Sequence, residues 1–303
     1  FPSSLYSISE MIDPYEILCS KDSLTTHIPK AIASSEDWKY VLSEFQSYPS
    51  WEQLISAKVG NADNLYIVIS NYKNNRSDKR WLWFYFVGLK LFGSASDIYL
   101  NAVTKKTKSP EEFIRNLFRT LLDYEPTNQN FALLYESRKT ILNAIGNPVD
   151  EIVSYCKIVL SMEEKAIFYL TDNTLQEREM IFRILDKYGL EYDRTTLMET
   201  LANIYPSLHE YLLPYRFKND LLDEYFQEYK YQKVINKIFP EFMEVVENQA
   251  VARDYNAILQ PRSAVIESID TLDAQTFFTD AMGVEYLGYI MSKCQSLHLM
   301  AKV

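Results

Sequence analysis

SPEEFIRNLFRTLLDYEP, residues 109–126, is the stretch whose reading decides the fold. Ser109 stands where a helix cap belongs, and Pro110 suits the first helical position because its missing N–H would be unpaired there anyway. Glu112 follows the cap by three residues, completing a capping-box pattern. Phe113, Ile114, Leu117, Phe118 and Leu121 then recur at three- and four-residue spacing until Pro126 ends the run. The spacing predicts a helix with one apolar face, and the same grammar appears on both sides. Trp38, Val41, Leu42 and Phe45 follow the Ser34-Ser35 start, while Leu133, Leu134, Ile141 and Leu142 form a stripe closed by Gly146 and Pro148. Residues 149–161 read as a helix with Ile152, Val153, Cys156 and Val159 inward. Residues 221–239 and 241–259 read as two long helices parted at Pro240.

Composition agrees with a helical chain. Apolar residues are 47% of 303, enough for a sizeable core in one large or two smaller domains. Seven glycines and eleven prolines are too few for a turn-rich β fold. Twenty-three tyrosines and sixteen phenylalanines point to bulky helix-to-helix packing with many polar ring tips to satisfy. A net charge of −10 argues against a broad nucleic-acid-binding surface. Cys19, Cys156 and Cys294 are odd in number and far apart, so they read as reduced thiols of a cytoplasmic protein. The most apolar stretch, WLWFYFVGL at 81–89, is far shorter than the ~20 residues of a membrane span. It reads as a buried segment, and no membrane partner is expected.

A few segments break the helical period. AIFYL at 166–170 has strand character, and Thr174 with Glu177 begins a helix after it, with Met180, Ile181, Ile184, Leu185 and Tyr188 on one face. TFFTDAMGVEYLGYI at 276–290 repeats the strand–turn–helix pattern, with Tyr286, Leu287, Ile290 and Cys294 as the packed face of the last helix. LYIVIS at 65–70 fits strand or helix equally. The expected fold is mainly α, multi-helical, with a few short strands. The expected organisation is an N-terminal helical domain over 1–148, a second mostly helical region over 149–262, and a third segment over 263–303.

Chemistry is sparsely written. No nucleophile elbow, phosphate-cradling loop, dinucleotide fingerprint or H-E-x-x-H is present. His27, His209 and His298 lie on separate expected elements without ligand spacing. Asp280 has two readings. It can cap the following helix, which the pattern alone favours, or stand at a strand end where α/β folds gather ligands and metals. Glu285 sits in the next first turn, where the helix dipole favours an acid without any function. The basic runs KNNRSDKR at 73–80 and KKTK at 105–108 flank an aromatic segment. Such interleaving can bind nucleic acid, yet the aromatics are too consecutive to be mostly exposed, and charge runs usually solvate a surface.

YFQEYKYQKVINKIF at 225–239, then PEF, PRSAVIESID and FFTDAMGVEYLGYIMSKC, resemble in order and wording the PglZ proteins of bacterial bacteriophage-exclusion (BREX) systems, specifically the type 4 branch. KRWLWFYFVGLKLFG at 79–93 and AIFYLTDN at 166–173 extend the resemblance through much of the chain. It implies the alkaline phosphatase superfamily, in which an Asp ending the first core strand binds a divalent metal that activates a nucleophile. Asp280 matches that position. Residues 263–303 are then the start of an α/β alkaline-phosphatase-like domain, whose other ligands and nucleophile are expected beyond Val303. The chain begins FPSS and ends LHLMAKV, and the expectation is an excised N-terminal piece that is itself inactive and holds no metal tightly.

The implied function is a metal-dependent phosphoester hydrolase of antiviral defence using Zn or Mn. This part of it would be an interaction or regulatory platform for other defence-system proteins, with nucleic acid in the full complex. The alternative is a self-contained helical scaffold in which Asp280 is only a cap.

Overall fold

The structure, a computed structural model, describes residues 13–93, 97–259, 262–267 and 282–300. Its contacts divide the chain into two compact units, Phe1–Ile158 and Val159–Val303. Among the described residues every regular element is a helix or a 3-10 turn, and none is a strand. No helix among them is long and apolar enough to cross a membrane.

In the first unit α1 (Pro14–Lys21), α2 (Ser35–Glu44), α3 (Trp51–Val59) and the one-turn α4 (Leu65–Val68) precede α5 (Lys79–Phe92), which packs on α3 and α4. α6 (Ile98–Lys106), α7 (Pro110–Arg119) and α8 (Phe131–Ala144) follow, and the unit boundary falls within α9 (Val149–Leu160). α5 is the apolar run of residues 81–89. Asp78 caps it by accepting from the amides of Arg80 and Trp81, and Phe84, Tyr85, Phe86, Val87 and Leu89 are buried. Tyr85 lies in the protein interior, so its hydroxyl needs an acceptor and donates to Leu65 O at 2.9 Å. Gly88 lets α5 approach α3 and α4 closely, because a Cβ there would stand 2.9 Å from Ile55 Cγ2.

α7 forms where its spacing predicts, with Phe113, Ile114, Leu117 and Phe118 buried. The capping box does not form: the Ser109 hydroxyl makes no cap bond, and Glu112 accepts from the Lys108 amide at 3.4 Å instead. At the other end the last carbonyls are claimed by neighbours. Tyr99 Oη donates to Leu117 O at 2.8 Å and Arg138 Nε to Phe118 O at 3.1 Å. Arg138 is fully buried, with its guanidinium 4.4 Å from the Tyr155 ring centre. Two inward assignments fail. Leu133 and Val153 are exposed, because the buried stripes of α8 and α9 run through Tyr135, Arg138 and Tyr155, which apolar counting passes over.

The second unit contains α10 (Leu175–Tyr188), α11 (Arg194–Ile204), α12 (Pro206–Leu212), α13 (Asp220–Val234), α14 (Pro240–Ala252), α15 (Asp254–Ile258), α16 (Arg262–Glu267) and α17 (Leu287–Ser296). AIFYL is not a strand: Glu163–Tyr169 is a 3-10 helix. Ala166, Ile167, Tyr169 and Leu170 are all buried, and that pairing is helical rather than alternating. A lone strand would also need a partner ladder, and the described residues offer none. LYIVIS is α4 running into a 3-10 turn, Ile69–Asn74. α13 stops at Val234, before Pro240, because Asn236 turns left-handed at φ 53°. Arg253, at φ 56°, likewise divides the expected helix over 241–259. The expected strand over 276–280, on which the α/β reading of residues 263–303 rests, lies outside the described residues.

Thr174 and Glu177 behave as a cap pair with a difference. Thr174 Oγ1 accepts from the Glu177 amide at 3.2 Å. The buried Glu177 carboxylate accepts from the Thr171 amide, the Thr171 hydroxyl and the Thr174 hydroxyl at 3.2, 3.0 and 3.1 Å. One side chain thus ties the end of the 3-10 run to the start of α10.

Two measurements check this packing. Trp51 is fully buried; its indole donates to Thr25 Oγ1 at 2.9 Å and its ring meets Phe45 edge-on at 5.2 Å. Trp51→Ala should lower unfolding stability by about 3–5 kcal/mol in urea titrations, whereas Leu133→Ala should stay within about 0.5 kcal/mol. Glu177→Ala strands three donors and should cost about 1–3 kcal/mol. Glu177→Gln keeps an acceptor and should cost less.

Candidate functional site

Asp280 lies outside the described residues, so the metal-ligand assignment rests on sequence alone. The described remainder of residues 276–290 folds as a 3-10 turn, Val284–Tyr286, leading into α17. Leu287, Ile290 and Cys294 on α17 are half-buried, and the position packed most deeply is Gly288. A Cβ on Gly288 would stand 2.3 Å from Leu213 O, so only glycine admits this approach of α17 to the end of α12. The same carbonyl accepts from Lys230 Nζ on α13 at 2.5 Å.

Around this seat is an aromatic pocket of about 410 Å³ within the second unit. α10 contributes Phe182, α12 Tyr211, α13 Lys233, and the C-terminal segment Tyr286 and Tyr289. Tyr205, just before α12, meets Phe182 edge-on at 6.1 Å, and the Tyr211 and Tyr286 rings are 5.2 Å apart. Lys233 Nζ lies 5.4 Å from the Tyr229 ring centre and 6.0 Å from that of Tyr211. Its ion pair with Glu285 is long, at 3.8 Å. Glu285 therefore faces a lysine across the fold rather than serving only its own helix. On the far side of Tyr289, Lys293 Nζ pairs with Glu210 at 2.5 Å.

Burial, and then the Glu285 carboxylate, raise the pKa of Tyr211, so its phenol stays protonated. That hydroxyl is buried and has no hydrogen-bond partner among the described residues. Burial also depresses Lys230, to about 8, against weak support from Glu285. The pocket is thus a set of aromatic walls with protonated donors and one exposed ammonium. None of Tyr211, Lys233 or Tyr289 stands out in sequence as a site residue. The only signal was the dense Tyr/Lys spacing of YFQEYKYQK, in which Tyr229 and Lys233 fall four apart and share a helix face.

Other sequence candidates separate. His27 and His298 are exposed and His209 half-buried; His27 ends a 3-10 turn, His209 lies on α12 and His298 in the turn after α17. Among the described residues no three His, Cys, Asp or Glu side chains form a metal-binding group. Cys156 is buried, and Cys19 and Cys294 are half-buried. The basic runs hold intramolecular partners. Arg76 Nη2 donates to Ile145 O and Gly146 O, at 3.1 and 2.9 Å, beyond α8. Arg80 lies 4.2 Å over Tyr40, and Lys106 pairs with Asp123 at 2.6 Å. A groove of about 530 Å³ in the first unit includes Tyr40, Lys79, Arg80 and Trp83, but Asp37 and Glu111 share it, so its charge is mixed.

Lys230 supplies a pH test. Its folded pKa of about 8 lies below its ordinary 10.5, so the unfolded chain holds the proton more tightly between those values. The burial penalty is then fully present below pH 8 and is relieved as the pH rises through that window. Stability measured from pH 8 to 10 should gain more in the wild type than in Lys230→Met. Equal slopes would contradict a depressed Lys230.

Comparison with known proteins leaves one relationship. No curated protein and no solved structure matches the chain. A family model described as "Domain of unknown function (DUF7863)" matches residues 18–188, more than half of the sequence. The match spans α2 to α9 whole and ends at the last residue of α10. The chain therefore belongs to the DUF7863 family.

Proposed function

We propose that the chain is the helical interaction platform of a PglZ-like, metal-dependent phosphoester hydrolase of bacterial phage defence. The hydrolase half of this reading is supported by the resemblance across residues 225–294, with Asp280 as the first ligand of a Zn or Mn site. The platform half is supported by one observation. α14 has no buried residue, and Met243, Val245 and Val251 on it are exposed. Exposed apolar side chains on a helix with no buried face are available to a protein partner that covers them. Other defence-system proteins are the proposed partners, in the cytoplasm, with nucleic acid reached through the full complex.

Turnover separates the halves. In the longer protein that the resemblance implies, hydrolysis of a chromogenic phosphoester should require Zn or Mn and vanish in Asp280→Ala. The 303-residue chain alone should be inactive and bind neither metal tightly. Metal-dependent turnover by the short chain would overturn the division of labour. Failure of the longer protein to turn over would leave the helical scaffold, for which Val251→Asp should still abolish capture of its partner.

A further inference from the structure

The aromatic pocket of the second unit has features that packing alone does not require. Its walls are the rings of Phe182, Tyr205, Tyr211, Tyr286 and Tyr289, and aromatic faces accept planar rings of many kinds. Within the second unit Lys230, Lys233 and Lys293 gather around two carboxylates, Glu210 and Glu285. The neighbourhood is locally positive although the whole chain carries −10. Lys293 is committed to Glu210 and Lys230 to the Leu213 carbonyl. Lys233 is about half-exposed, and its ion pair with Glu285, at 3.8 Å, is the longest of these contacts. The Tyr211 hydroxyl is a buried donor without an acceptor among the described residues, an arrangement that costs stability unless something completes it.

We propose that this pocket binds a small ligand made of a planar aromatic ring bearing one anionic group. The ring stacks on the tyrosine walls, and the anion takes the half-exposed Lys233 ammonium at the pocket edge. A volume of about 410 Å³ suits a ligand of nucleoside-monophosphate size or smaller. An aromatic carboxylate has the same chemistry, and the two sources are distinguished below. The site uses none of the phosphoester chemistry assigned to Asp280, so its fate is separate from that reading.

Calorimetric titration of the purified 303-residue chain tests it, with AMP, 4-hydroxybenzoate, adenosine and inorganic phosphate as probes. AMP should bind at least about tenfold more tightly than adenosine or phosphate if the source is a nucleotide. 4-Hydroxybenzoate should bind, and AMP should not, if the source is an aromatic carboxylate. In either case Lys233→Gln and Tyr289→Ala should each weaken binding about tenfold, while Lys39→Gln on the first unit leaves it unchanged. Tyr211→Phe separates the wall from the anion contact: the hydroxyl it removes is closed off from the pocket and unpaired, so binding should stay within about twofold while the thermal midpoint holds level or rises. The proposal is overturned if neither ring-bearing anion binds at millimolar concentration, or if binding ignores both Lys233→Gln and Tyr289→Ala.

Discussion

A single buried cation organises the first unit. Arg138 is fully enclosed, and a charge in that position is tolerated only where its surroundings replace water. They do so from three helices: the Phe118 carbonyl at the end of α7, the Tyr155 ring on α9, and the body of α8 that carries the arginine itself. The end of a helix is the negative end of its dipole, so the guanidinium and the α7 terminus satisfy each other. Tyr99 closes the neighbouring carbonyl from α6. Four helices are thereby locked in register by two polar side chains.

The second unit depends on a comparable point of convergence at Leu213. Its carbonyl accepts from the buried Lys230 ammonium and lies where any side chain on Gly288 would have to go. α12, α13 and α17 meet there, and the aromatic pocket exists because they meet. Tyr211 and Lys233 come from the consecutive helices α12 and α13, and Tyr289 comes from α17, far along the chain. Seating α17 also explains why GVEYLGYI combines glycines with large rings: one glycine gives close approach, and the tyrosines around it fill the walls.

Helix positions were legible because they follow from local chemistry. α7 starts at Pro110 as its cap and proline predict, although the α-helix stops at Arg119 and the last turn before Pro126, Thr120–Asp123, is 3-10; the next-door start at Ser34 is also found, closed by a box with Asp37. AIFYL was misread for a physical reason. A short apolar run looks alike as a strand or a buried helical turn, and only the absence of a pairing edge among the described residues decides between them. Leu133 and Val153 were misplaced because the inward stripes of α8 and α9 include an arginine and tyrosines, which hydropathy treats as surface. The pocket was illegible because its residues belong together only after α17 has packed.

By itself, then, the sequence determined a helical protein, several of its helix starts, the burial of the α5 run and the absence of a familiar catalytic motif. These are properties of periodicity and capping, which act over four to seven residues. Only the tertiary structure decided that Arg138 belongs in the core, that Gly288 is a contact point, and that a tyrosine-walled pocket holds a half-exposed ammonium. Each of those depends on which groups meet across distant segments, and desolvation sets its consequences once they have met.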